Sequence, residues 1–319
     1  MFQKHSILSK GFMLSTTNAR AVDGDSIFQR LSFSSAILIL LVLIGILISL
    51  IDGGWQALSE FGPGFVFSNE WDPVGSQFGA ASAIYGTLVS SLIAIVIAIP
   101  AGLGTAIFLA ELAPRWISKP VGMAIELLAA VPSIIYGMWG LFVFAPWFSE
   151  GFQFWALENL VGLPVIGAWF DGPPIGIGLL TAGLILSFMI LPIITALTRD
   201  ALQTIPNVVR EAAYGVGATP FEVITRVLLP SIRNAAVGAG ILGLGRALGE
   251  TMAVAFVIGG ANRIETSLFM PASSISSTIA QQFNEATNEM HISALISLGL
   301  VLFVLTFLVM GVARLLLKK

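Results

Sequence analysis

Residues 211–230 read EAAYGVGATPFEVITRVLLP and interrupt a chain that is otherwise mostly apolar. Their own signals describe two short helices around a glycine elbow. Just upstream, Pro206 stands where a helix starts, because the N–H of a first helical residue has no intrahelical partner. Residues 207–213 form the body of that helix, and Gly215 and Gly217 stop it. A second helix opens at TPFE, with Thr219 as N-cap, Pro220 as its first residue and Glu222 as the reciprocal partner three residues after the cap. Phe221, Ile224 and Leu228 then share one face at helical spacing, and Pro230 marks the end of the run. The result is a hairpin with an exposed apolar side: either a surface cover or a docking element.

The segments on either side say what the hairpin belongs to. Of 319 residues, 56% are hydrophobic and 10% charged, whereas a soluble domain carries about 25% charged residues. So few charges cannot cover a water-facing surface, and the chain reads as an all-α polytopic membrane protein. A net charge of −3 argues against nucleic-acid binding. With no cysteine there is no disulfide framework, thiolate metal site or thiol redox chemistry. His5 and His291 lie far apart and outside the apolar runs, so no metal site is expected.

A spanning helix needs about 20 mostly apolar residues. Six such segments are expected, near 31–51, 83–110, 120–148, 176–197, 235–259 and 292–312. Residues 151–170 are also apolar, but they contain Glu158, Pro164 and five aromatic rings, which favour the headgroup level. They are expected to form an interfacial or outer-face helix. Cationic residues support this choice, since cytoplasmic loops are enriched in Lys and Arg. Six spans place thirteen of the fifteen on one side, leaving only Arg263 opposite and Arg246 inside the membrane. Both termini are therefore expected in the cytoplasm. Residues 1–30 are expected to form a cytoplasmic tail, the first span to act as an uncleaved signal anchor, and 31–319 to form one six-helix transmembrane domain with the hairpin loop at about 199–234.

The fifth span carries an arginine and a glutamate. Arg246 lies about eleven residues from the entry of that span, roughly 16 Å, near the midplane of a hydrocarbon core about 30 Å thick. Facing lipid there, it would cost about 2.5–3.5 kcal/mol. Glu250 follows one turn later on the same face, so the two are expected to pair. Such a pair locks helices together or marks a substrate route. A guanidinium fork matches a tetrahedral oxyanion, and Glu250 could accept a hydrogen bond from a protonated oxygen of that anion. Gly238, Gly240, Gly243, Gly245 and Gly249 suit close helix approach. Residues 238–243 also satisfy G-x-G-x-x-G, but no strand or βαβ unit surrounds them.

Glu211-Ala212-Ala213, then Gly217, then Val227 and Leu229-Pro230 resemble the EAA loop of ABC importer permeases, E-A-A-x3-G-x9-I-x-L-P, with valine for isoleucine as the one departure. The resemblance implies a type I ABC importer permease (MetI-like) fold, in which this loop is the coupling helix that fits a cleft on an ATP-binding subunit. Glu211, Ala212, Ala213, Gly217, Leu229 and Pro230 would serve that contact. Three further stretches, 242–254 (LGLGRALGETMAV), 124–146 and 69–91, look like the C-subunit permeases of phosphate-specific importers. Sulfate and molybdate permeases share an R-A-x-G-E pattern, but Thr251-Met252-Ala253 favours phosphate. The resemblance thus implies an inner-membrane phosphate permease, half of a heterodimer with a homologous second permease. Its partners would be two ATP-binding subunits and an extracytoplasmic phosphate-binding protein. ATP and Mg would reside on the ATPase: no lysine here follows a glycine, so the chain has no P-loop.

Arg246, Glu250, Thr251, Ser133 and Tyr136 are the candidate substrate-pathway residues, the last two following Pro132 with hydroxyls that can donate to an anion. Pro100, Pro132 and Pro192 interrupt spans, shaping helices or lining the route. Glu126, near the cytoplasmic start of the third span, could snorkel or pair with Lys119 or Arg115. An ion-coupled anion transporter would explain Arg246 and Glu250 but not the hairpin. No H-E-x-x-H, G-x-S-x-G or cysteine nucleophile suggests a membrane enzyme.

Overall fold

The computed structural model describes residues 19–317, so expectations for Lys4, His5, Lys10, Lys318 and Lys319 lie outside the described residues. Helix dominates. Among the described residues, extended pairing is confined to a short antiparallel ribbon, β1 (Trp71–Asp72) with β2 (Gln77–Phe78), and a single bridge between Gly259 and Ala272. The chain divides into two units, residues 1–49 and residues 50–319. The first holds most of α1 (Ala19–Phe61). That helix begins before the expected boundary at 31, because no proline precedes the apolar run to stop it.

The second unit contains the remaining helices. Long enough and apolar enough to cross a membrane are α2 (Ala81–Leu112), α5 (Leu179–Gln203), α7 (Pro220–Leu248) and α10 (Glu289–Leu317), as is α1. The sixth candidate is a pair, α3 (Arg115–Ala129) and α4 (Ser133–Asn159), bent by 95°. The third span is therefore not the single helix expected at 120–148. Pro132 adopts φ −56°, ψ 136°, which ends one helix and caps the next.

Beyond the bend, α4 runs further than expected. Phe144, Phe148 and Phe152 stack one turn apart, with centroids 5.3 and 5.2 Å from each other, and hold the helix together through two π-helical turns. The separate interfacial helix expected at 151–170 is thus split. Its first part extends α4, and its remainder is turns with one 3-10 turn at Gly167–Trp169.

The deepest packing joins α2 to α5. Ser82, Thr87, Ser90, Ala94, Ala98 and Gly102 line the buried face of α2. Their small size brings the helices together: a methyl on Gly102 would lie 2.9 Å from Ile194, and one on Gly183 2.6 Å from Ile93. Pro100 and Pro192 stay inside continuous helices. Residues 238–243 are helical, as the missing βαβ context requires. A second core gathers Phe65, Phe78, Ala294, Leu295 and Leu298 around α10, with His291 stacked on Phe78 at 5.3 Å.

Candidate functional site

Two broken helices meet at the site. The fifth span stops at Leu248, with Gly249 as its cap, and restarts as α8 (Met252–Val257). The third is broken at Pro132. The second limb of each packs on the other through Gly137 of α4, where a methyl would lie 2.8 Å from Phe256, 3.0 Å from the Ala253 Cα and 3.1 Å from the Met252 carbonyl. Only glycine permits that approach. Ser133 precedes Gly137 by about one turn and Tyr136 is its immediate neighbour, and both are half-buried. The Tyr136 hydroxyl donates to the Leu128 carbonyl at 2.9 Å, bridging the bend, and lies within the electrostatic reach of Arg246.

The expected Arg246–Glu250 pair is not formed. One turn of separation requires a continuous helix, and the helix ends between the two residues. Glu250 turns forward, and its Oε1 accepts the Ala253 N–H at 3.2 Å, satisfying a free donor at the start of α8. Thr251 donates weakly to the Gly249 carbonyl at 3.4 Å. Among the described residues Arg246 makes no ion pair or side-chain hydrogen bond. It is exposed, as are Leu242 and Gly249, while Ala247 and Leu248 turn into the core. The structure therefore brings Arg246 towards Tyr136 and places Glu250 and Thr251 at the break, but leaves the cation on an open face.

The hairpin forms much as its residues dictate. Its first helix, α6 (Asn207–Gly215), is capped by Pro206 and terminated before Gly217, whose φ of +87° favours glycine. Thr219 and Glu222 form the capping box, with the Thr219 N–H 3.0 Å from Glu222 Oε2. The backbone N–H and then the hydroxyl of Thr219 hold the Glu222 carboxyl below its ordinary pKa. Two expectations fail. Pro230 does not end the second helix, which continues into the fifth span: a π-helical turn at Val223–Leu228 takes up the proline's missing N–H and bulky ring. The same turn shifts the register, so Phe221 is 73% exposed while Val223 and Leu228 are buried. Glu211, Ala212, Gly217 and Pro230 are exposed, Ala213 and Leu229 half-buried. Val208, Tyr214, Val216 and Phe221 give the hairpin an open apolar surface.

Two ion pairs were not anticipated from the sequence. Glu126 pairs with Arg199 of α5 at 3.2 Å, not with Lys119 or Arg115. The Arg199 guanidinium lies over Gly122, where any side chain would displace it. Arg210 of α6 pairs with Glu111 at the end of α2, at 2.9 Å. The partners are 73 and 99 residues apart, beyond any local pattern.

Comparison with known proteins agrees with this arrangement. Residues 98–319 match the family model of the binding-protein-dependent transport system inner membrane component. The chain is 53% identical to the phosphate transport system permease protein PstC of Mesorhizobium japonicum, over 92% of this chain and 90% of that one. It is 48% identical to the PstC protein of Haemophilus influenzae, over 92% and 93%. A solved bacterial ABC transporter involved in the import of alginate contains a chain of the same fold, with a TM-score of 0.60, 17% identity and coverage of 94% of this chain and 97% of that one. With an exposed hairpin, broken spans and these likenesses together, the chain belongs to the binding-protein-dependent transport system inner membrane component family.

Proposed function

We propose that the chain is the transmembrane permease subunit of an ATP-driven phosphate importer and forms half of its translocation pathway. The observation that carries this is the 53% identity, sustained over 92% of the chain, to a phosphate transport system permease. The sulfate or molybdate alternative has no such support, and an ion-coupled transporter has no use for the hairpin. The chain lies in the inner membrane with the Arg- and Lys-rich loops, and both termini, in the cytoplasm. It has no ATPase site of its own and binds no cofactor. ATP and Mg are held by two ATP-binding subunits that dock on Glu211, Ala212, Ala213 and Gly217 and the apolar surface beside them. A homologous second permease completes the pathway, and an extracytoplasmic binding protein delivers phosphate.

The open face of Arg246 fits this assembly. An arginine near the midplane is costly against lipid, about 2.5–3.5 kcal/mol, so a second protein surface or an aqueous route should cover it. A guanidinium with no partner among the described residues is free to meet a tetrahedral oxyanion in a two-pronged contact. Ser133 offers a hydroxyl donor to the anion, and Tyr136 can do so only by giving up its bond to the Leu128 carbonyl. Glu250 keeps Oε2 free of hydrogen bonds among the described residues, so it can accept from a protonated oxygen. That would favour hydrogen phosphate over fully deprotonated sulfate. The contact with the moving anion is transient, since a tight site would trap it.

The test is radiolabelled phosphate uptake by phosphate-starved cells carrying this chain or its Arg246→Gln variant, with sulfate and molybdate as competitors and membrane insertion verified. ATP-dependent uptake that ignores the competitors and collapses in the variant is expected. Normal uptake in the variant would make the arginine structural, and competition by sulfate would change the substrate.

A further inference from the structure

We propose that the Glu111–Arg210 ion pair is the strut through which movement of the hairpin reaches the membrane spans. This rests on the permease function above, and assigns to two residues outside the EAA pattern the task of transmitting the stroke. Arg210 sits on α6, beside Glu211. Its Nε lies 3.2 Å from both carboxylate oxygens of Glu111, and its Nη2 lies 2.9 Å from Oε1. The same guanidinium also donates to the Leu202 carbonyl at 2.8 Å and the Ile205 carbonyl at 2.6 Å. One side chain of the hairpin thus grips the end of α2 and the end of α5 together. A bidentate fork resists rotation as well as separation, which a lysine point charge does not.

The pair is sheltered, with side chains 17% and 12% exposed. Arg226 and Glu222, by contrast, are 77% and 37% exposed, and join only neighbouring turns of one helix. Nearby, Leu202, Val223, Leu228 and Ile232 form a small apolar core, with Ile107 and Ala110 of α2 packed against it. That core attaches the hairpin to the spans. Apolar contacts are non-directional, however, and fix attachment better than angle. The ion pair supplies the angular constraint, so Arg210 and Glu111 are positioning residues. Without them the hairpin stays attached and the ATPase still docks, but part of each stroke is lost as rotation about the apolar core.

The experiment compares wild type, Glu111→Gln and Arg210→Lys, each assembled with partner permease, ATPase and binding protein in proteoliposomes. Phosphate uptake and ATP hydrolysis are read on the same vesicles. Both variants should assemble with normal subunit ratios and hydrolyse ATP within about twofold of wild type. Uptake per ATP should fall about fivefold or more, the scale of ordinary coupling effects, in both variants, because Glu111→Gln removes the charge that holds the fork and Arg210→Lys removes the fork itself. An unchanged ratio in both variants, or hydrolysis and uptake falling by one common factor, overturns the strut. So does loss of assembly in both, which would make the pair a folding element. Wild-type vesicles that move no phosphate would instead overturn the assigned substrate, and the same ratio measured with sulfate or molybdate would then decide the strut.

Discussion

Gly86 of α2 is the position where one added carbon should do most damage. A methyl there would lie 1.9 Å from the carbonyl oxygen of Ser273. A carbon–oxygen contact needs about 3.3 Å, so the two backbones must part by about 1.4 Å. Neither can yield cheaply, because the obstruction is main chain and not a rotatable side chain. The next residue makes the cost larger. Thr87 Oγ1 accepts the Ile275 N–H at 2.9 Å, and both residues are buried. Parting the segments strands that donor at the first turn of α9 (Ile275–Gln282). Overpacking costs about 1–3 kcal/mol. A stranded buried donor adds about 1–3 kcal/mol. Alanine's better helix propensity returns about 1 kcal/mol. The net loss for Gly86→Ala is about 1–5 kcal/mol. The assay is thermal unfolding in detergent beside Gly104→Ala, in the same helix, where a methyl meets nothing within 4 Å. The control should match wild type or exceed it slightly. Equal stability of the two variants would refute the packing argument.

Gly137→Ala pushes α4 from α8 at the meeting of the two broken spans, and should lower phosphate uptake severalfold while the chain still inserts; uptake equal to wild type would show that the close approach is dispensable. Glu250→Gln keeps an oxygen to accept the Ala253 N–H and should hold thermal stability within about 0.5 kcal/mol, whereas Glu250→Ala should cost about 0.5–2 kcal/mol; equal losses would mean that the charge, not the cap, stabilises the break. Glu222 titrates lower when folded, so its support of the hairpin is complete above the ordinary value of 4.5 and fades as the pH falls through the lowered value. Hydrogen exchange at the Thr219 and Glu222 amides, corrected for intrinsic rates, should lose protection over that range in the native chain and be flat in Glu222→Gln.

The hairpin shows how far local signals reach. Pro206, Gly217, Thr219 and Glu222 act on backbone within a few residues of themselves, and each does what its chemistry requires. Pro230 does not, because a proline's effect depends on the turn before it. The π-helical turn at Val223–Leu228 carries the helix through and rotates Phe221 out of the register it would share with Leu228. The periodicity that places a face on a helix assumes a constant number of residues per turn, and one wide turn removes that assumption.

By itself the sequence determined the helical class, the number and approximate place of the candidate spans, and the hairpin and its caps. Hydropathy, glycine and proline conformation and N-capping all act over short stretches of chain, so they are legible there. Tertiary structure alone decided that the third span bends at Pro132, that Glu250 caps α8 instead of meeting Arg246, and that Glu126 and Glu111 take Arg199 and Arg210 as partners. These outcomes depend on which helices lie side by side and on where each helix stops. A charge takes the nearest geometrically suitable partner in space, and separations of 73 and 99 residues carry no trace of that proximity along the chain.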